Sequence, residues 1–268
     1  MSARGLSALY TTLVNMDDGY THMRIRIDTH THSVASGHAY STIDDLARGA
    51  KRRRLSGFVL TDHGPLMPGA THPYHFGNLR VIPEHIQGVR FYRGVEANIM
   101  DMQGTIDMGL HLLVRLDFVM AGFHEICFEP RSREENTRAL IATLENPYVD
   151  AISHPGNPAF PIDAEAVVRS AAINGKALEI NNSSFKIRRG SAENCKIIAE
   201  LCLEHGTRIV CSSDAHYWED VGNFKTALQL IHSVKIPESM VINASVARFE
   251  EFCAERKLVR ERALEVGI

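Results

Sequence analysis

The chain has 268 residues, 44% apolar and 23% charged, which suits one large or two small folded domains and argues against disorder. Its 29 basic and 32 acidic residues leave a formal charge of -3, so no global nucleic-acid footprint is expected. No 18-residue apolar run is present, so neither a membrane span nor a membrane partner is expected, and a cytoplasmic location is the reading.

Residues 1–23, "MSARGLSALYTTLVNMDDGYTHM", lack the long apolar centre of a signal peptide and read as an extension. Residues 24–268 read as one domain. "MRIRID" predicts a strand that runs into "DTHTH" at 28–32. Ser41, with Asp44 three residues on, predicts the cap of the next helix, which ends in "KRRR" at 51–54 on the side away from the site. "GFVLTD" (57–62) is a compact apolar strand, followed to about Pro83 by a loop rich in proline and histidine. Further strands are predicted over 88–100 and 116–124, then a helix capped by Ser132 with Glu135 completing its box. Next come a strand and then a loop over 148–155, a helix from Asp163 to about Gly175, and a strand over 176–182. A helix over 191–206 carries Cys195 and Cys202 as buried thiols, a strand follows over 207–216, and another helix covers about 219–233. A short segment around "SMVINA" leads to a helical tail. The five cysteines, Cys127, Cys195, Cys202, Cys211 and Cys253, form no close CxxC pair and read as reduced.

Alternating strands and helices predict a parallel sheet with helical crossovers: an α/β fold of about seven strands, barrel-like, with a doubly wound open sheet as the alternative. The ends of these strands carry the chemistry. They deliver His30, His32 and His38, then His63, Glu96, His124 and His154, and last Asp214 and His216. In α/β architectures such ends converge on one face. Seven imidazoles and two carboxylates are costly to bury without a counterpart, and divalent metals supply one. Imidazole and carboxylate suit zinc, manganese or iron, and nine donors exceed the four that one zinc takes. Two or three ions follow. Asp28 and Asp62 are expected to hold nearby imidazoles or backbone instead of metal.

"DTHTH", "TDHG", "GVEAN", "AGFH", "SHPGNP" and "SSDAH" resemble the polymerase and histidinol phosphatase (PHP) superfamily, and "LEINNSSF" is similar to its YcdX-type phosphatase branch. The resemblance covers about residues 24–255. It implies a distorted (β/α)7 barrel, TIM-barrel-like, with three divalent ions, zinc first, in the C-terminal mouth. It implies one ion held by His30, His32, Glu96 and Asp214. A second would share Glu96 and add His124 and His154, and a third would use His38, His63 and His216. Glu96 and Asp214 are the implied catalytic groups.

Such ions make hydroxide from bound water near neutral pH and clamp phosphoryl oxygens, which predicts a phosphatase (a phosphoric monoester hydrolase) acting on a small anionic phosphorylated substrate. Lys186, Arg188 and Arg189 in "SSFKIRRG", together with Arg131, are the candidate substrate contacts. Phosphodiester or exonucleolytic cleavage at nucleotide or nucleic-acid ends is the alternative, with histidinol phosphate hydrolysis a third reading. A homo-oligomer is compatible with everything above.

Overall fold

The computed structural model describes residues 23–267, so residues 1–22 of the expected extension lie outside the described residues. Met23, at the predicted boundary, is 8% exposed and joins the core. Eight strands form one sheet: β1 (Ile27–Thr31), β2 (Gly57–Leu60), β3 (His85–Ile86), β4 (Val89–Asn98), β5 (Phe118–Gly122), β6 (Ala151–Ile152), β7 (Ala177–Asn181) and β8 (Arg208–Ser212). Seven are parallel in the order β1-β2-β4-β5-β6-β7-β8, and β3 pairs antiparallel with β4. The path turns back on itself. Thr31 bridges Ala215 just beyond β8, and His32 N donates to the Ala215 carbonyl at 2.9 Å. This is a nearly closed seven-stranded barrel, not the open sheet.

Its interior is layered. Ile27, Val59, Tyr92, Phe118, Ala177 and Val210 form an apolar floor, with Phe249 and Phe252 of the last helix, Val246–Val266, packed into it. Deleting a buried phenylalanine such as Phe249 costs about 3–5 kcal/mol. Side chains alternate along a strand, so residues an even number of positions beyond the floor rise toward the mouth. Glu96 and Asn98 do so above Tyr92, and Glu179 and Asn181 above Ala177. The outer faces pack under the crossover helices in a larger core that includes Val95, Val119, Leu178 and Ile209.

Three local expectations shift. The helix Ile43–Arg52 is capped by Thr42 with Asp45 and not by Ser41 with Asp44; Ser41 Oγ instead accepts from Trp218 N at 2.8 Å. Ser41 and Thr42 each have an aspartate three residues on, so the box is degenerate in sequence. The helix predicted over about 219–233 spans Lys225–Val234, preceded by a 3-10 turn at Trp218–Asp220. Of the strand and loop expected over 148–155, the strand is short, Ala151–Ile152. The boxes at Ser132 and Glu135 and the Asp163 cap stand as read. "KRRR" ends its helix exposed, just ahead of β2 and so at the end away from the strand C-termini. Among the described residues, no helix is long and apolar enough to cross a membrane.

Candidate metal centre

The strand ends bring all seven imidazoles into one cluster. Ring centroids lie 4.9 Å apart for His30 and His32, 4.4 Å for His32 and His63, and 4.8 Å for His63 and His124. His124 lies 5.3 Å from His154, and His38 is 4.9 Å from both His63 and His216. Glu96 and Asp214 complete the set, 0% and 5% exposed. Gly122 makes room at the end of β5, since a Cβ there would sit 1.9 Å from Ser153 Oγ and 3.0 Å from the His154 ring.

The Glu96 carboxylate divides the cluster. Its Oε2 faces His63 Nδ1 at 2.9 Å, His30 Nε2 at 3.2 Å and His32 Nε2 at 3.6 Å. Its Oε1 faces His154 Nε2 at 2.8 Å and His124 Nε2 at 3.4 Å. Asp214 Oδ1 lies 3.4 Å from His32 Nε2 and 3.6 Å from His30 Nε2, on the Oε2 side. Donor atoms within 4.8 Å of one another fall into three groups: His30, His32 and Glu96; His63, Glu96 and His124; and His32, His63 and His216. The first two share Glu96 as expected, but in the second His63 stands where His154 was expected. In the third, His32 stands where His38 was expected, and His38 meets the group through its ring.

The outer hydrogen bonds select one nitrogen of each ring. His30 Nδ1 lies 2.6 Å from Glu179 Oε1, and a carboxylate only accepts, so Nδ1 carries the proton. Ser36 Oγ donates to Asp62 at 2.7 Å and therefore accepts from His32 Nδ1 at 3.0 Å. Asn98 donates its amide to Asp107 at 2.6 Å, which turns its oxygen to accept from His124 Nδ1 at 2.7 Å. His216 Nδ1 donates to the Asp214 carbonyl at 3.1 Å. Four rings thus present Nε2 as a lone pair. Buried His30 Nε2, His32 Nε2, His63 Nδ1, His124 Nε2 and Glu96 Oε2 have no hydrogen-bond partner. Native interiors satisfy such atoms, and divalent cations would satisfy these. The donor set fits metal.

Electrostatics agree. Burial alone would lift Glu96, but His30, His124, His63 and His154 outweigh it and hold the carboxyl well below its usual range. Burial, His216 and His63 push His32 well down, and burial with Arg188 pushes His154 down to about 4. Both stay neutral, as ligands must be. For His30, burial opposes charge, but Glu179, Glu96 and Asp214 outweigh it and shift the ring well above its ordinary range. Two ligand-type residues, His154 (φ 31) and Asp214 (φ 55), hold left-handed backbone, a strain that collects at functional sites.

Asp28 and Asp62 act as expected. Asp28 accepts from Ser213 N, Ser213 Oγ and Gly222 N, and burial pushes it up to about 6. Asp62 accepts from Ser33 N, from the hydroxyls of Ser33 and Ser36, and from His75 Nε2 at 3.0 Å. Arg188 Nη1 lies 3.5 Å from Asp214 Oδ2, and Arg188 and Arg189 join His124 in lining a cavity of about 390 Å³. Lys186 is exposed on the short helix Ser184–Ile187. Arg131 stacks 5.6 Å over Phe128 and pairs with Glu135, outside that cavity. Glu179, Asn98, Ser36 and Asp107 were not read from sequence. The signal for Glu179 was a carboxylate in the middle of the apolar run "ALEIN".

The PHP domain family model matches residues 28–183. A "Probable phosphatase" of Acetivibrio thermocellus is 54% identical over 88% of this chain and 98% of its own. One from Caldanaerobacter subterraneus is 51% identical over 89% of this chain and 95% of its own. Among solved structures, histidinol phosphate phosphatase from Lactococcus lactis, complexed with zinc, L-histidinol and phosphate, superposes with a TM-score of 0.57 at 18% identity, covering 78% of this chain and 94% of that one. A chain of archaeal ribonuclease P superposes at 0.52 with 15% identity, covering 90% and 93%. The two solved structures share the fold alone, whereas the family match spans more than half of the chain and the curated relatives are about half identical: the chain belongs to the PHP family.

Proposed function

We propose that the chain is a metal-dependent phosphatase for small phosphorylated metabolites, with three divalent ions held by His30, His32, His38, His63, Glu96, His124, His154, Asp214 and His216. Zinc is the first choice, with manganese and iron as alternatives. The observation that carries this reading is the Glu96 carboxylate, one oxygen turned to His30, His32 and His63 and the other to His124 and His154. When bound, such ions stabilise charge on a phosphoryl group and supply a nucleophile at neutral pH.

The chain's own groups do the rest. Arg188 and Arg189 border the cavity beside His124 and suit the non-reacting part of an anionic substrate, since guanidinium matches phosphate oxygens. Asp214 Oδ2 accepts from Asn181 at 3.1 Å and faces Arg188, and although burial would lift its carboxyl, His30, His32, His216 and Arg188 hold it well below the usual range. That favours a ligand over a proton donor. A cytoplasmic location and a homo-oligomer are compatible with this assignment.

A second reading, cleavage at nucleotide or nucleic-acid ends, rests on a groove of about 680 Å³. It is lined by His72, Arg80, His111 and Arg115 with no carboxylate, and its His75 reaches Asp62 next to His63. A panel of phosphorylated metabolites, bis-p-nitrophenyl phosphate, histidinol phosphate and a single-stranded oligonucleotide, assayed with each metal, separates these. Faster turnover of monoesters supports the first reading; turnover confined to diesters or the oligonucleotide overturns it.

A further inference from the structure

Glu179 sits at the middle of β7, 1% exposed, beneath the metal-ligand cluster and outside the proposed ligand set. Four donors converge on its two oxygens. They are His30 Nδ1 at 2.6 Å, the His154 backbone N at 2.5 Å, Asn181 Nδ2 at 3.1 Å and Ser212 Oγ. The first two come from β1 and from the loop after β6, and they lie on different sides of Glu96: His30 faces its Oε2, and His154 faces its Oε1. His154 also holds a φ of 31, a backbone state a histidine rarely adopts, and Glu179 accepts the N–H of that same strained residue.

We propose that Glu179 is the positioning residue that couples two metal positions: one carboxylate fixes the His30 tautomer for one ion and the His154 backbone for the other. The inference rests on the metal-centre reading above. It predicts selectivity within the site. The ions served by His30 and by His154 depend on Glu179, whereas the one served by His38, His63 and His216 does not.

Glu179→Gln keeps the shape but offers one accepting oxygen and an NH2 in place of two oxygens, so at least one of the four donors faces another donor. Loss of an outer partner typically lowers metal affinity by ~10–100-fold. The test titrates zinc into chelator-stripped parent and variant in competition with a chromophoric chelator, with thermal melts as a check on folding. The expected result is three tight equivalents in the parent and one in the variant, with the other two weakened. Equal affinities for every equivalent in both proteins would overturn the proposal. A parent that binds at most one equivalent defeats the trinuclear reading instead. In that case, or if the variant does not fold, the 15N spectrum of the histidine side chains of the stripped parent decides. His30 protonated at Nδ1 upholds the positioning role, and a neutral His30 protonated only at Nε2 overturns it.

Discussion

The two ends of the barrel both bury charge, and they resolve it differently. At the floor, Asp150, Arg256, Arg260 and Lys176 are 0%, 5%, 0% and 2% exposed. Arg260 reaches Asp150 and the Leu116 carbonyl, Arg256 reaches Asp150 and the carbonyls of Pro147 and Val149, and Lys176 donates to the carbonyls of Asn146 and Val149. Among the described residues of this group, only Arg260 Nε is left over. At the mouth, five buried donor or acceptor atoms are left over and converge. A buried polar group satisfied by its own chain fixes structure; one left unsatisfied in a cluster awaits something from outside. The floor anchors the last helix, and the mouth is proposed to bind cations.

That contrast is broken most sharply by opposite substitutions. Asp150→Asn removes the carboxylate charge that buried Arg256 and Arg260 share, and losing one partner of a buried pair costs about 3–5 kcal/mol. Urea unfolding should show that loss while the metal content of the folded fraction matches the parent; a metal deficit with normal stability would merge the two ends. Glu96→Gln is the converse. Loss of half the bridging charge should cut kcat/KM on the order of 10²–10³-fold, comparable to removing a preorganised charge-stabilising group, with a smaller fall for His38→Ala. Steady-state kinetics at matched metal occupancy decide the order, and parent-like values for Glu96→Gln would defeat its bridging role.

A smaller effect is expected at the rim. In the double replacement Arg188→Ala and Arg189→Ala, kcat/KM for a phosphorylated substrate should fall about tenfold, as for a lost charge-assisted hydrogen bond, with metal content unchanged. No change would rule that loop out as a phosphate clamp.

The smallest effect returns to the floor. Burial, with Arg256 adding to it against Asp150, pulls Lys176 down from the ordinary 10.5 to about 7. Between those values the unfolded chain holds one more proton than the folded chain, so this group makes stability rise with pH across that window and contributes no slope below it. Lys176→Met should flatten the rise in denaturation midpoints measured from pH 7 to 10; an unaltered slope would assign it to other groups.

The candidate ligands were legible because most are histidines or carboxylates at or near the end of an apolar run, and a parallel sheet gathers such ends without any knowledge of strand order. The antiparallel β3 was not legible. It is two residues long, and its turn uses Gln87 (φ 52) and Gly88 (φ 85), where asparagine would have been the stronger cue. Arg131 read as a loop cation near the mouth because sequence gives the loop but not the side-chain direction, and Phe128 and Glu135 draw it aside. Asn98 and Asp107 escaped notice because their role is relational. Asp107 orients Asn98, which orients His124, and nothing in the spacing of the three announces it.

The central claim is that the mouth is built for several cations. Its most direct test is the metal content of protein purified without chelator and then reconstituted with zinc, manganese or iron, measured by mass spectrometry of the digested sample. The account predicts more than one equivalent per chain, rising to three on reconstitution. A ceiling of one equivalent with every metal would contradict it.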